Sequence, residues 1–318
     1  MTRSALLHSE MIHEAVLSSR SAAISPLAAS WCRSALHHQL DPASASRRDR
    51  LDGRSLSDRR DAHGALLAVT RPVLDQLFQA VGRSGCGVFL SDATGAIFES
   101  RVGDGDMPDF ARAGLVDGGR WSEALEGTNG IGTCLVEDRP VIIHREQHFS
   151  SRNIAISCMD APVHDAKGRL VAALDVSSCR NDHGTAMAEM TVALVREAAR
   201  RIERALFHEH FHNARILFLG DAPGGSELLA VDADDLVIGV SWAARQRLGL
   251  TEAQISGTSV TLDALTGQNA EPSFRKADRT VLRQALARAG GNVSAAARML
   301  GIARATLYRR LMRAGLHK

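Results

Sequence analysis

Residues 290–316 read GGNVSAAARMLGIARATLYRRLMRAGL. The glycine pair stops the helix before it. Asn292 or Ser294 is available to cap the next helix, because a short polar side chain accepts its first free backbone N–H groups. The seven residues from Ala295 to Gly301 are nearly all small or apolar, so a short helix here can pack closely against its neighbours. Ile302 and Ala303 make a turn, and a last helix runs from Arg304 towards Gly315. Leu307 and Leu311 stand four apart and share its inner face. Arg304, Thr306, Tyr308, Arg309, Arg310 and Arg313 are left facing outward. Upstream, Lys276 to Ala289 has helical spacing with Val281, Leu282, Ala285 and Leu286 inward. A short helix, a glycine-containing turn and a helix with exposed arginines form the helix-turn-helix pattern. In that geometry Arg304, near the helix start, reaches base edges. The later arginines and the helix N-terminus around Asn292 and Ser294 suit phosphates.

Charge points the same way. From Phe274 to the end there are 11 Lys/Arg and one acid, Asp278, whereas the preceding residues hold 27 basic and 35 acidic side chains. The modest net charge of +2 therefore conceals a basic module on an acidic body, the footprint of phosphate-backbone binding. A solvated helix face or a basic three-helix adapter would carry similar charge; the helical pattern favours DNA.

Working outward, 318 residues suffice for two or three domains. Apolar residues make up 45% and aromatics only 4%, so the cores must rest on Leu, Val, Ile and Ala. Residues 1–40 read as helical, and the polar stretch 41–62 as a linker or loosely ordered loop. A second amphipathic helix spans about 64–82. Residues 87–99 form a hairpin, Trp121 to Cys134 a helix-loop-helix, and three strands follow at 139–144, 154–164 and 170–176. A long helix covers 185–210 with Met187, Met190, Leu194, Ala198, Ile202 and Leu206 along one stripe. Antiparallel strands flanked by helices give an α+β domain. A hairpin at 227–240, with an acidic turn at Asp232–Asp235, and a short helix from Ser241 form a smaller unit. Residues 266–273 are turn-rich and read as a linker.

Two resemblances sharpen this. The run Gly291, Asn292, Ser294, Ala296, Ala297, Leu300, Gly301, Ile302, Arg304, Thr306, Leu307, Arg309, Arg310, Leu311 resembles the Fis-type helix-turn-helix that ends many bacterial enhancer-binding regulators. Ala303 departs from the Asn or Ser common there, so base preference does not carry over. Trp121-Ser-Glu123, Gly127-Thr128-Asn129, Gly132-Thr133-Cys134, Arg139-Pro140-Val141, Gln147-His148-Phe149, Cys158, Ala161-Pro162-Val163 and Asp175 resemble the GAF sensor of acetoin- and glycerol-catabolism regulators, over about residues 70–207. Ser30-Trp31-Cys32-Arg33 and Leu40-Asp41-Pro42 continue the likeness upstream. The unit at 226–265 is similar, more weakly, to a small PAS-like module.

The expected architecture is thus an N-terminal helical segment and charged linker at 1–63, and a GAF-like antiparallel sheet flanked by helices at 64–210. A small PAS-like α+β module at 211–265, a linker at 266–273 and an all-α Fis-type helix-turn-helix at 274–318 complete it. The resemblance implies a small-molecule effector, with Trp121, Glu123, Thr128, Asn129, His148, Cys158 and Asp175 as candidate sensor residues. Trp121 and Phe149 also fit a plain core, and the polar four (Glu123, Thr128, Asn129 and His148) fit helix capping. Asp175, in an apolar strand, needs a hydrogen-bond partner. The glycines at 127, 130 and 132 match neither GxGxxG nor a P-loop and suit a tight turn and close packing.

Regulators with these two ends normally carry a central ATPase. Here about 65 residues separate them and no GxxxxGK[ST] occurs, so the expectation is a truncated regulator acting without ATP hydrolysis. Its expected partners are double-stranded DNA, a second copy of itself, a small-molecule effector, and RNA polymerase or a full-length relative. No cofactor or metal is expected, since the five cysteines form no CxxC pair. No run of about 18 apolar residues predicts a membrane span, and no signal-peptide core opens the chain, so the expected location is cytoplasmic. Other readings are a GAF-based redox or haem sensor, or a thiol-dependent methionine sulfoxide reductase built on Cys86, Cys134 and Cys158.

Overall fold

A computed structural model describes residues 3–18, 21–44, 48–220, 225–233, 236–251, 255, 262 and 274–316. The chain divides into two compact units, Met1–Ser259 and Val260–Lys318.

The first unit is built on a five-stranded antiparallel sheet with strand order β2-β1-β5-β4-β3. The strands are β1 (Cys86–Asp92), β2 (Ile97–Arg101), β3 (Val141–His144), β4 (Ser157–His164) and β5 (Leu170–Ser178). β1 and β4 are buried at every position, because helices cover both faces of the sheet. Alternate residues then serve two cores. Val88, Leu90, Met159, Leu174 and Val176 pack with residues of α5 (Gly64–Val81) and α9 (Thr185–His210). Phe89, Cys158 and Ala173 point the other way, towards Phe110, Leu115, Trp121, Ile131 and Cys134. On this second side lie α6 (Met107–Ala113), α7 (Glu123–Glu126) and α8 (Gly130–Glu137). The antiparallel sheet flanked by helices is the architecture expected for this region.

Three expectations need correction. The polar stretch after residue 41 is not a loose linker throughout: Gly53–Ala62 is a helix, α4, capped by Asp52, whose Oδ1 accepts from Ser55 N–H at 2.7 Å. It buries none of its residues, which is why it carries no apolar periodicity. Its arginines fix it instead, Arg59 on Asp92 and Arg60 on Asp117 and the Phe98 carbonyl. On α9 the C-terminal half of the expected stripe holds, with Ala198 and Ile202 buried and Leu206 packed against them, but the N-terminal half is rotated. Ala188, Thr191, Val195, Ala199 and Ile202 are buried, while Met187, Met190 and Leu194 are 44%, 69% and 46% exposed. Small residues let the helix approach the sheet and α5 closely, which turns its large side chains outward. The smaller unit is three-stranded, not a hairpin. β6 (Arg215–Phe218) joins β7 (Leu228–Val231) and β8 (Val237–Val240), followed by α10 (Trp242–Leu248). β6 has an apolar run, Ile216-Leu217-Phe218, behind its leading arginine, and it is half-exposed at the edge of the three-stranded sheet. Part of the acidic turn at Asp232–Asp235 and the linker at 266–273 lie outside the described residues.

At the N-terminus, α1 (Arg3–Leu17), α2 (Ser21–Ile24) and α3 (Pro26–Cys32), extended by a π-helical turn at Arg33–His37, dock on the sensor body. Ile12, Trp31 and Phe149 form one buried cluster, and the Trp31 indole donates to the Gln147 carbonyl at 2.8 Å.

The second unit contains α11 (Phe274–Arg288), α12 (Val293–Met299) and α13 (Arg304–Arg313). Leu282, Ala285, Ala296, Ala297, Leu307 and Leu311 form its core. Val281, expected inward, is 48% exposed, because Leu282 and Ala285 already fill the contact with α12 and α13.

Candidate nucleic-acid interface and sensor site

The geometry of the second unit resolves which residue caps α12. Asn292 Oδ1 accepts from the Ser294 and Ala295 N–H groups at 3.0 and 3.1 Å, so the Ser294 side chain is not the cap. Gly301 adopts a left-handed φ of 63° in the turn, which reverses the chain into α13. On α13, Leu307 and Leu311 face inward as expected. Arg304, Tyr308, Arg309, Arg310 and Arg313 are exposed and Thr306 is half-buried. The outward arginines are not equivalent. The Arg304 guanidinium lies 5.9 Å from the Tyr308 ring centroid, a cation–π contact that limits its rotamers. Arg309 Nη2 reaches the Thr306 hydroxyl at 3.5 Å. Arg310 pairs with Asp278 of α11 at 3.2 Å, which turns it towards the first helix. With both partners about half exposed, that pair adds little stability.

In the sensor body the seven candidate residues come together around α7 and α8, each on a protein partner. The Trp121 indole donates to the Gly114 carbonyl at 3.0 Å, and Arg48 stacks over its ring. Asn129 caps α8: Oδ1 accepts from Gly132 N–H and Nδ2 donates to the Gly127 carbonyl, both at 2.8 Å. Glu123, buried beneath the N-terminal helices, accepts from Ser30 Oγ (2.8 Å), Thr133 Oγ1 (3.2 Å) and Arg33 Nε (2.8 Å). Thr128 Oγ1 lies 2.7 Å from Ser30 Oγ. Thus Ser30 and Arg33, noted in the sequence only as part of a resemblance, are the bolts between the N-terminal segment and the sensor.

The remaining three share one chain of contacts. Ser177 Oγ lies 2.8 and 3.0 Å from the two Asp175 oxygens and 3.1 Å from Cys158 Sγ, and His148 Nε2 lies 3.4 Å from that sulfur. Burial pushes His148 down to about 4, so it is neutral at pH 7. Burial likewise pushes the Cys158 and Cys134 thiols well up, which keeps them protonated and poor nucleophiles. This counts against thiol chemistry at these positions. Asp160, which sequence reasoning missed, is the register partner of Asp175 across β4 and β5, and both are fully buried. Neither Asp160 oxygen receives a bond from an N–H or hydroxyl donor among the described residues. Burial and each other's charge raise Asp160 well above the carboxylate range, and burial brings Asp175 to about 7. The pair therefore holds a proton at neutral pH. Its signal in the sequence was the second acid in an apolar strand.

The glycines are packing devices. A Cβ on Gly130 would strike Asp160 and Cys158, and one on Gly132 would strike the backbone of Glu123 and Trp121. Because the obstruction at Gly132 is backbone, Gly132→Ala is expected to cost about 1–3 kcal/mol. Urea unfolding followed by tryptophan fluorescence checks this. A change within about 0.5 kcal/mol would show that α7 and α8 yield freely.

None of the seven residues lines the three surface clefts described. Among the described residues no group of three or more His, Cys, Asp or Glu is placed to hold a metal ion, and no helix is long and apolar enough to cross a membrane.

Against this geometry, residues 65–206 match the GAF domain model and residues 273–313 match the model of the bacterial regulatory protein, Fis family. The chain carries a GAF domain and a Fis-family helix-turn-helix. It is 29% identical over 249 residues to the acetoin catabolism regulatory protein of Cupriavidus necator, covering 76% of this chain and 37% of that protein. It is 26% identical to the signal-transduction and transcriptional-control protein of Clostridium beijerinckii, covering 62% of this chain and 31% of that one. It is 30% identical to the acetoin dehydrogenase operon transcriptional activator of Bacillus subtilis over 36% of this chain and 19% of the other. The matched region thus spans little more than a third of such relatives at most. In fold, the chain resembles the crystal structure of the Escherichia coli DhaR(N)–DhaL complex, with a TM-score of 0.52 and 17% identity over 75% of this chain and 80% of that chain.

Proposed function

We propose that this chain is a sequence-specific DNA-binding transcription regulator whose GAF domain senses a small molecule, and that it acts in the cytoplasm without hydrolysing ATP. The observation that carries the reading is the exposed arginine face of α13, set on a packed three-helix core within the Fis-family match. The relatives' names support it, since one is a regulator of acetoin catabolism and the other two are named for transcriptional control and activation. Only residues 207–272 separate the two matched domains, and no Gly-Lys pair, hence no P-loop, occurs in the sequence. Such a chain acts by where it binds and whether it lets go: by recruiting RNA polymerase, by repression, or by competing for the sites of a full-length relative.

The candidate DNA contacts divide by position. Arg304, steadied by Tyr308, reads a base edge; Thr306 and Arg309 act as one unit beside it. Arg313 and the α12 N-terminus at Asn292 and Ser294 meet phosphates, and Arg310 serves from its Asp278 tether. In a fluorescence-anisotropy titration on a site selected from genomic DNA, Arg304→Ala is expected to cost about 1–3 kcal/mol and to relax base preference. Arg313→Ala is expected to weaken specific and random DNA alike and to reduce the salt slope by about one. Equal, small losses for both variants on both DNAs would reverse the assignment.

The chain works as a homodimer on a palindromic site, in keeping with the two-fold logic of helix-turn-helix proteins. The exposed Met187, Met190 and Leu194 on α9 support this. Sedimentation showing a monomer both free and on DNA would refute it.

A further inference from the structure

We propose that the GAF body carries a second, surface-accessible site for an amphipathic carboxylate, in a trough between edge strand β3 and α9. This goes beyond the reading as a sensor by naming a site and a ligand class, and rests on that reading only for its regulatory meaning.

Two clefts of about 380 and 290 Å³ adjoin here, sharing Arg139, Pro140 and Arg196 in their lining. The larger has an apolar wall of Leu27 from α3, Val141, Ile142 and Ile143 from β3, and Val192 from α9. The smaller runs on past Arg200 to Trp242 of the small unit. One trough therefore touches the N-terminal segment, the edge of the sensor sheet, the long helix and the unit beyond it.

The charge in the trough is cationic once each acid is assigned. Asp138 and Glu203 are taken by His164, whose ring nitrogens lie 2.8 and 2.6 Å from them. A carboxylate at each nitrogen requires a proton on both, so His164 is an imidazolium. Glu227 is taken by Arg247. Glu137 holds Arg33 at 2.7 Å and reaches Arg139 only at 3.5 Å. Arg200 has Glu197 no closer than 3.9 Å, and Arg196 has no carboxylate partner among the described residues. Arg196 without a carboxylate among the described residues, flanked by Arg139 and Arg200 on long and partly exposed pairs, calls for an anion with a hydrocarbon body at the middle of the apolar groove. The guanidiniums grip the carboxylate, bidentate where geometry allows, and the wall of β3 and α9 covers the chain. A free phosphate would use the arginines and leave the wall idle; an alcohol would do the reverse.

The test is calorimetric titration of the full chain, without DNA, with sodium octanoate, 1-octanol and inorganic phosphate. Saturable octanoate binding is expected, with octanol and phosphate each at least about tenfold weaker. Arg139→Ala/Arg196→Ala and Arg196→Glu, all at exposed positions, are expected to weaken octanoate by at least about tenfold with unchanged thermal unfolding. Absence of saturable octanoate binding, or equal affinity for octanol or phosphate, would overturn the proposal. So would octanoate binding that both variants leave intact. Since no DNA is present, such a failure leaves the DNA-binding reading standing.

Discussion

Replacing Leu307 with alanine is expected to abolish DNA binding while the sensor body stays folded. Leu307 is fully buried at the centre of the three-helix unit, among Leu282, Ala285, Ala296, Ala297 and Leu311. Three of those neighbours are alanines, which cannot swing in to fill the hole. Leucine-to-alanine changes in such cores cost about 2–5 kcal/mol. A unit this small holds only about 3–5 kcal/mol in total. The loss is therefore comparable to the whole stability of the module, and with the core gone the exposed arginines of α13 have no helix to array them. The chain supplies its own reporters. Its three tryptophans, Trp31, Trp121 and Trp242, all lie in the first unit, and its one tyrosine, Tyr308, lies on α13. Anisotropy on labelled DNA should fall to background while the tryptophan unfolding curve stays at its wild-type midpoint. Binding within about twofold of wild type would mean that the α13 surface does not depend on this core.

The sequence made α13 legible because three signals agreed on it: leucines four apart, arginines on the opposite face, and a glycine turn before them. The same agreement placed β1, β4 and β5, whose apolar runs are bounded by turn residues. Reading failed where tertiary partners overrode local pattern. On α9, the stripe drawn through the largest residues picked Met187 and Met190, but close packing selected Ala188 and Val195. α4 had no apolar face to read, being held by Arg59 and Arg60 on acids far along the chain. Within the sensor, the polar residues at 123, 128 and 129 were recognisable as a group. The partners of Glu123 and Thr128, Ser30 and Arg33, lie some ninety residues upstream and carry no periodic signal of contact. Asp160 is a related case: alone it is one acid in a strand, and only the β4–β5 register reveals that it faces Asp175.

That register gives the second large effect. Asp160→Asn is expected to stabilise the sensor body at pH 8 and to leave it nearly unchanged at pH 4. Burial of the facing carboxyls raises both, Asp175 to about 7. For an acid raised on folding, the native state holds a proton that the unfolded chain has released. Its stabilising contribution is complete below the unfolded value of 3.8 and is lost as pH rises through about 7. A rise from 3.8 to about 7 corresponds to about 4 kcal/mol across that window. Asparagine is close to isosteric with the protonated acid and donates from Nδ2 without needing a proton from solvent. It leaves Asp175 buried beside the Ser177 hydroxyl, so the rise that burial gives Asp175 stays in the variant and only the Asp160 contribution is removed. Urea unfolding by tryptophan fluorescence at pH 4, 6, 7 and 8 should show the wild type losing stability with rising pH and the variant tracing a flatter line. The two curves should converge at the acid end and separate towards the alkaline end by the Asp160 contribution that the variant lacks. Parallel curves would mean that Asp160 takes up no proton on folding, and the proton held by the pair would have to be abandoned. The result bears on sensing as well. A proton held between β4 and β5, beside Cys158 and His148, sits where the sheet meets the N-terminus of α8. The strands that hold it, β4 and β5, also carry residues that pack with α9, and in the sequence α9 precedes the small unit and the Fis-family helices.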